Sequence, residues 1–128
     1  MATVALTKDN FSSTIDSNDV VLIDFWASWC GPCMRFAPIY EEAAGRHEGV
    51  TFAKVDTEEE RDLAAALEIT SIPTIMGFRD GVLVFRQAGA LPARDLDSVI
   101  SQVKDLDMDE VRAKLDAQAG QTSGSSTA

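Results

Sequence analysis

Cysteine is scarce in this 128-residue chain: there are two, Cys30 and Cys33, and histidine occurs once, as His47. A structural zinc site takes four ligands, usually Cys and His. One chain cannot supply them, so no metal ligands are assigned, and a site bridging two copies is the only metal arrangement left. A disulfide-stapled scaffold fits no better, because such folds use several bridges. A bridge between Cys30 and Cys33 would close a very short loop and remove little entropy from the unfolded chain. Positive charge is also short, with 11 Lys and Arg against 21 Asp and Glu and a formal net charge of −10. Nucleic-acid binding needs a basic surface to displace counterions, and attachment to anionic lipid needs basic clusters. Neither partner is expected. The opening "MATVALTKDN" lacks a basic segment followed by an apolar core, so no secretory signal is read there. No apolar run approaches the ~20 residues of a membrane helix. A soluble, cytoplasmic protein is expected. In that reducing compartment a lone C-x-x-C pair is more often catalytic or metal-binding than structural.

Apolar residues make up 45% of the chain, enough for one core in one domain. "VALT" reads as a short edge strand. Thr7 is a plausible N-cap for a helix with Phe11 and Ile15 on one face. "VVLIDFWA", 20–27, is nearly continuous and rich in β-branched and aromatic residues, which predicts a central strand covered on both faces. "CGPCMRFAPIYEEAAGRH" predicts a helix, with Pro32 suited to the first turn and Pro38 a kink within it. "VTFAKVD", 50–56, alternates like a strand. Thr57 and Glu60 form a capping box for "EEERDLAAALEI". "SIPTIMGF" and "VLVFRQAG" read as strands flanking the turn "RDG". "LPARDLDSVISQVKDL" reads as a helix with Leu96, Val99, Ile100 and Val103 on one face. The order β-α-β-α-β-α-β-β-α implies an α/β sheet flanked by helices. Residues 108–118 predict a further short surface helix, and 119–128 a disordered tail. "DLDMDE", 105–110, has Glu110 where a calcium loop needs glycine, so it reads as exposed acids at a helix start.

Cys30 falls where the buried strand hands over to a helix. Free backbone N–H groups and the positive helix end there stabilise a thiolate. Cys33 shares its helix face at i+3, with Cβ atoms about 5–6 Å apart, close to the ~3.5–4.5 Å that a disulfide requires. The pair can open and close with a small local adjustment, as an exchange catalyst requires. Cys33, one turn in, is the better buried, resolving thiol. Asp24 interrupts a strand whose two faces are both covered. An unpaired buried carboxyl has its pKa raised toward neutrality, which suits a general acid or base. Lys54 is the nearest candidate cation. His47 reads as a surface residue near a helix C-terminus.

These residues resemble the thioredoxin family. The matching segments are "DFWASWCGPC" (24–33), "AP" (37–38), "AKVD" (53–56), "SIPT" (71–74) and "GALP" (89–92), in register over roughly residues 3–105. The resemblance implies the thioredoxin fold, a central mixed β-sheet with helices on both faces, over residues 1–107. It implies a protein-disulfide reductase with Cys30 as nucleophile and Cys33 as resolving thiol. Gly31 and Pro32 would set the redox character of the pair. Asp24 would take the proton of Cys33 through water, with Lys54 tuning it. Pro73 would be cis. Trp29, Ile72, Pro73, Gly89 and Ala90 would hold an extended target peptide by main-chain pairing. The implied partners are protein disulfides and an NADPH-dependent flavoprotein, thioredoxin reductase. No cofactor of the chain's own is expected, and a monomer is. Met34 departs from the family, many of whose members carry Lys or Arg there, and the chain runs about twenty residues past the family's usual end.

Overall fold

A computed structural model describes residues 3–126, with side chains to residue 119. The strands are β1 (Thr3–Ala5), β2 (Val20–Trp26), β3 (Thr51–Asp56), β4 (Thr74–Arg79) and β5 (Val82–Ala88). The helices are α1 (Phe11–Ser17), α2 (Gly31–Arg46), α3 (Arg61–Ala66), α4 (Ala93–Lys104) and α5 (Met108–Ser126). The strands form one sheet in the order β1-β3-β2-β4-β5. β3 runs parallel to β1 and β2, whereas β4 is antiparallel to both β2 and β5. No helix of the described residues is long and apolar enough to cross a membrane.

β2 is the middle strand, which is why its sequence is almost unbroken apolar. Successive side chains point to opposite faces. Val21, Ile23 and Phe25 pack with Ile15 of α1, with Leu63 of α3 and with Leu67 at its end. Leu22 packs on the other face with Phe36 and Tyr40 of α2 and Leu96 and Ile100 of α4. Asp24 shares the parity of Leu22, so the strand's one acid faces the α2 layer. In β3, Phe52 and Lys54 have that same parity, and the register sets Lys54 beside Asp24.

Several local expectations are corrected. Thr7 does not cap α1; its N–H donates to Asn10 Oδ1 at 2.7 Å within a turn, and the helix starts at Phe11 with Asn10 at the N-cap. The Thr57–Glu60 box does not form. The Thr57 hydroxyl donates to the Trp26 carbonyl, Glu60 accepts the Lys8 N–H, and α3 begins only at Arg61. Thr57 and Glu60 each found a tertiary partner that outweighs the local cap. Ser71–Pro73 is loop, not strand. The expected turn is present: Asp80 and Gly81 both have positive φ, 52° and 82°, as a two-residue hairpin turn requires. The last helix runs to Ser126, past the expected end at 118. Of the tail expected to be disordered, 127–128 lie outside the described residues.

The layering predicts a contrast in stability. Leu22→Ala, at a side chain with 0% exposure, is expected to cost about 2–5 kcal/mol. Leu83→Ala on β5, at 44% exposure, is expected to cost less than about 1 kcal/mol. Denaturant unfolding midpoints at unchanged slope check both.

Candidate active site

β2 ends at Trp26, and the chain turns through Ala27–Trp29 into α2. The Cys30 N–H closes this turn on the Ala27 carbonyl at 3.2 Å. Cys30 takes the N-cap position with extended backbone, φ −88° and ψ 108°, and its sulfur accepts the Cys33 N–H at 3.2 Å. A serine or aspartate oxygen usually fills this position, satisfying a helix N–H that has no partner of its own. Here a sulfur does so. Gly31 and Pro32 form the exposed start of α2, where the ring of Pro32 costs no hydrogen bond. α2 continues through Pro38 to Arg46.

Cys30 and Cys33 are joined as a disulfide, with Cα atoms 5.2 Å apart. Both are buried in this closed state, Cys33 at 1% exposure and Cys30 at 4%, the order that sequence reasoning gave. They pack with Ala27 and against the side chains of Trp26 and Ile72. The Ile72 carbonyl lies 3.8 Å from the Cys30 sulfur, and the Ile72–Pro73 bond is cis. Pro73 is itself buried, and its carbonyl accepts the Gly89 N–H at 2.7 Å. Gly89 has φ +102°, a conformation closed to most side chains. Trp29 is 69% exposed beside the cysteines, Met34 is also exposed, and so are Gly89 and Ala90. The buried sulfurs are thus rimmed by a bare indole and exposed backbone.

Asp24 lies on β2, the strand that leads to the cysteines. It is fully buried, and neither carboxyl oxygen has a hydrogen-bond partner among the described residues. Burial raises its pKa from 3.8 to about 7, against the pull of the Lys54 ammonium and with a smaller push from Glu41. Lys54 makes no ion pair with it. Its Nζ sits 4.9 Å from the centre of the Trp26 ring and 4.0 Å from Glu41 Oε2. The Tyr40 hydroxyl, in the same layer, donates to the Ala53 carbonyl at 2.8 Å. Burial, and then the nearby Asp24, push its pKa well above the usual value.

Sequence reasoning missed Glu41. The available signal was weak: two adjacent acids on α2, of which Glu41 follows the buried Tyr40. Choosing it required knowing how α2 lies over β3. His47 is not part of the site. It caps the far end of α2 and contacts Asp97 Oδ1 of α4 at 2.7 Å, beside Arg46 at 2.9 Å. The hydrogen bond from His47, and then that from Arg46, hold the Asp97 carboxyl below its usual pKa. Among the described residues no three His, Cys, Asp or Glu side chains gather to hold a metal.

The Thioredoxin family model matches residues 2–102. A putative thioredoxin 2 of Streptomyces coelicolor is 55% identical over 122 residues, covering 93% of this chain and 91% of the relative. A thioredoxin of Staphylococcus saprophyticus is 44% identical over 103 residues, covering 80% of this chain and 98% of the relative. Among solved structures, a point mutant of a thioredoxin from Halobacterium salinarum superposes with a TM-score of 0.76 at 31% identity, covering 82% of this chain and 93% of that one. Oxidized mitochondrial thioredoxin 3 of Saccharomyces cerevisiae gives 0.71 at 34% identity, covering 82% and 96%. By sequence and by fold the chain belongs to the thioredoxin family, and its chemistry is protein thiol–disulfide exchange.

Proposed function

We propose that the protein reduces disulfides of other proteins in two exchange steps, with Cys30 attacking and Cys33 resolving. The observation that carries this order is the cap: the Cys33 N–H aimed at the Cys30 sulfur at the start of a 16-residue helix. An N–H donor and the helix dipole both favour a thiolate at Cys30. In the first step the Cys30 thiolate attacks one sulfur of the target disulfide. A Cys30–target bond forms, and the other target sulfur leaves as a thiolate. In the second step the Cys33 thiolate attacks the Cys30 sulfur. The Cys30–Cys33 bond forms, and the target leaves with both sulfurs reduced.

Asp24 is the proton acceptor for Cys33, through a water where the gap requires one, with Lys54 tuning its charge. Its burial supports this role, because a carboxyl with a pKa near 7 exchanges protons at neutral pH. The target chain would lie in extended form beside Trp29, Ile72, Gly89 and Ala90, pairing with exposed main chain. Pro73, being buried, would shape this loop rather than offer surface to the target. Gly31 and Pro32 would set the redox character of the pair. The oxidised protein would be recycled by thioredoxin reductase, an NADPH-dependent flavoprotein. That supply of electrons fits the cytoplasm, where thiols are kept reduced. Both cysteines, Asp24 and Lys54 come from one chain, so a monomer suffices.

Trapping tests the order. Cys33→Ser should accumulate a covalent complex with target through Cys30, and Cys30→Ser should accumulate little, as read on non-reducing gels. Efficient trapping by Cys30→Ser would reverse the assignment. The reduction potential, followed by Trp26 and Trp29 fluorescence in redox buffers, should be more reducing than about −240 mV, near the middle of cytosolic glutathione estimates.

Asp24→Asn makes a paired prediction. Resolution should slow more than the first attack, and it should lose the rise with pH that ionisation of Asp24 near 7 would produce. The variant should also be the more stable protein in alkali. The native carboxyl stays protonated up to about pH 7, while the unfolded one ionises near 3.8. Wild-type stability therefore falls as pH rises across that window, by up to about 4 kcal/mol once both states are ionised. Stabilities of the two proteins should converge near pH 4 and diverge by pH 8.

A further inference from the structure

We infer that Glu41 is a positioning residue for proton transfer at Asp24: it holds the Lys54 ammonium off the buried carboxyl, so that Asp24 keeps its affinity for a proton. This rests on the reading of Asp24 as the acceptor for Cys33. The starting point is an ion pair that the strands allow and the side chains do not make. Asp24 and Lys54 are register partners on adjacent parallel strands and face the same layer. Yet both Asp24 oxygens are without a partner among the described residues. The ammonium is turned toward Glu41 Oε2 and the Trp26 ring instead.

Glu41 is itself fixed. Its Oε2 accepts the Thr3 hydroxyl at 2.9 Å, so edge strand β1 braces a carboxylate carried by α2. Glu41 is 42% exposed and Lys54 19%, and Lys54 lines a cleft of about 410 Å³ together with Thr3, Trp26, Asp56, Glu59 and Glu60. An ammonium at the wall of this cleft keeps water, whereas one pressed against Asp24 would have to lose it. Of the other acids of the cleft, Asp56 and Glu60 are poorer substitutes. Asp56 Oδ1 accepts the Glu58 N–H, and Glu60 Oε1 accepts the Lys8 N–H.

The groups around Asp24 leave Glu41 as the adjustable one. From α2 come Tyr40 and Glu41, and Tyr40 already donates to Ala53. β3 contributes Lys54, and the β4 register partner is the apolar Ile75. The negative charge of Glu41 acts on Asp24 in one direction by two routes: it diverts the cation, and it opposes a second anion nearby.

The test uses the oxidised protein, in which neither cysteine has a thiol to titrate. Carboxyl-carbon NMR follows Asp24 against pH in wild type, Glu41→Gln and Glu41→Asp. Gln keeps an acceptor for Thr3 and loses the charge; Asp keeps the charge. Glu41→Gln should lower the Asp24 midpoint by about half a pH unit, and Glu41→Asp should restore most of it. The pH profile of the resolving step should move with the midpoint. An unmoved midpoint in Glu41→Gln overturns the proposal while leaving Asp24's role intact. A midpoint that moves while the profile of resolution stays put overturns Asp24 as the acceptor, and with it Glu41's part in proton transfer.

Discussion

A carboxyl group buried without a partner beneath α2 is the constraint on which the site depends. Everything around Asp24 is apolar or already committed: Leu22 and Ile75 in the sheet, Phe36 and Tyr40 above. The Tyr40 hydroxyl in that layer is bonded to Ala53. Such a group is costly to keep ionised. The fold tolerates it at the point where β2 stops being structure and starts to deliver the cysteines. Under the proposed mechanism, stability and chemistry pull against each other at this residue.

The layering of the sheet makes this arrangement specific. Strand alternation sends Leu22 and Asp24 to one face and Val21, Ile23 and Phe25 to the other. Parallel register then sets Lys54 level with Asp24. A slip of one residue would exchange the two faces. Asp24 would move to the α1 and α3 side, away from Cys33. The same α2 that begins at Cys30 carries Glu41 back over β3. One helix therefore holds the reactive sulfurs and the anion that competes with Asp24 for Lys54.

Much of this was legible in the sequence. The unbroken apolar run of 20–27 marked the central strand, and its one acid marked Asp24. The C-x-x-C at the handover to a helix marked the cap. What was not legible depended on distant contacts. Thr57 and Glu60 spell a capping box, but Trp26 and Lys8 take their side chains. Thr7 reads as a cap and serves a turn instead. The choice of Lys54 between Asp24 and Glu41 is a three-body question that spacing does not answer. His47 gave no sign that it would meet Asp97, fifty residues away in sequence.

Arg79, at the end of β4, ties down the other side of the molecule. A single nitrogen of its guanidinium donates to the carbonyls of Val103, Lys104 and Leu106, where α4 ends and α5 is about to begin. Next to it, Asp80 pairs with Arg112 of α5 at 3.7 Å. β4 therefore carries a helix joint at one end and the cis-proline loop, against the Cys30 sulfur, at the other. Six residues separate the two ends, about 20 Å of strand at ~3.3 Å per residue, hydrogen-bonded to a neighbour on each side. It is a strut: the C-terminal helices stand on the same beam as the wall of the redox site.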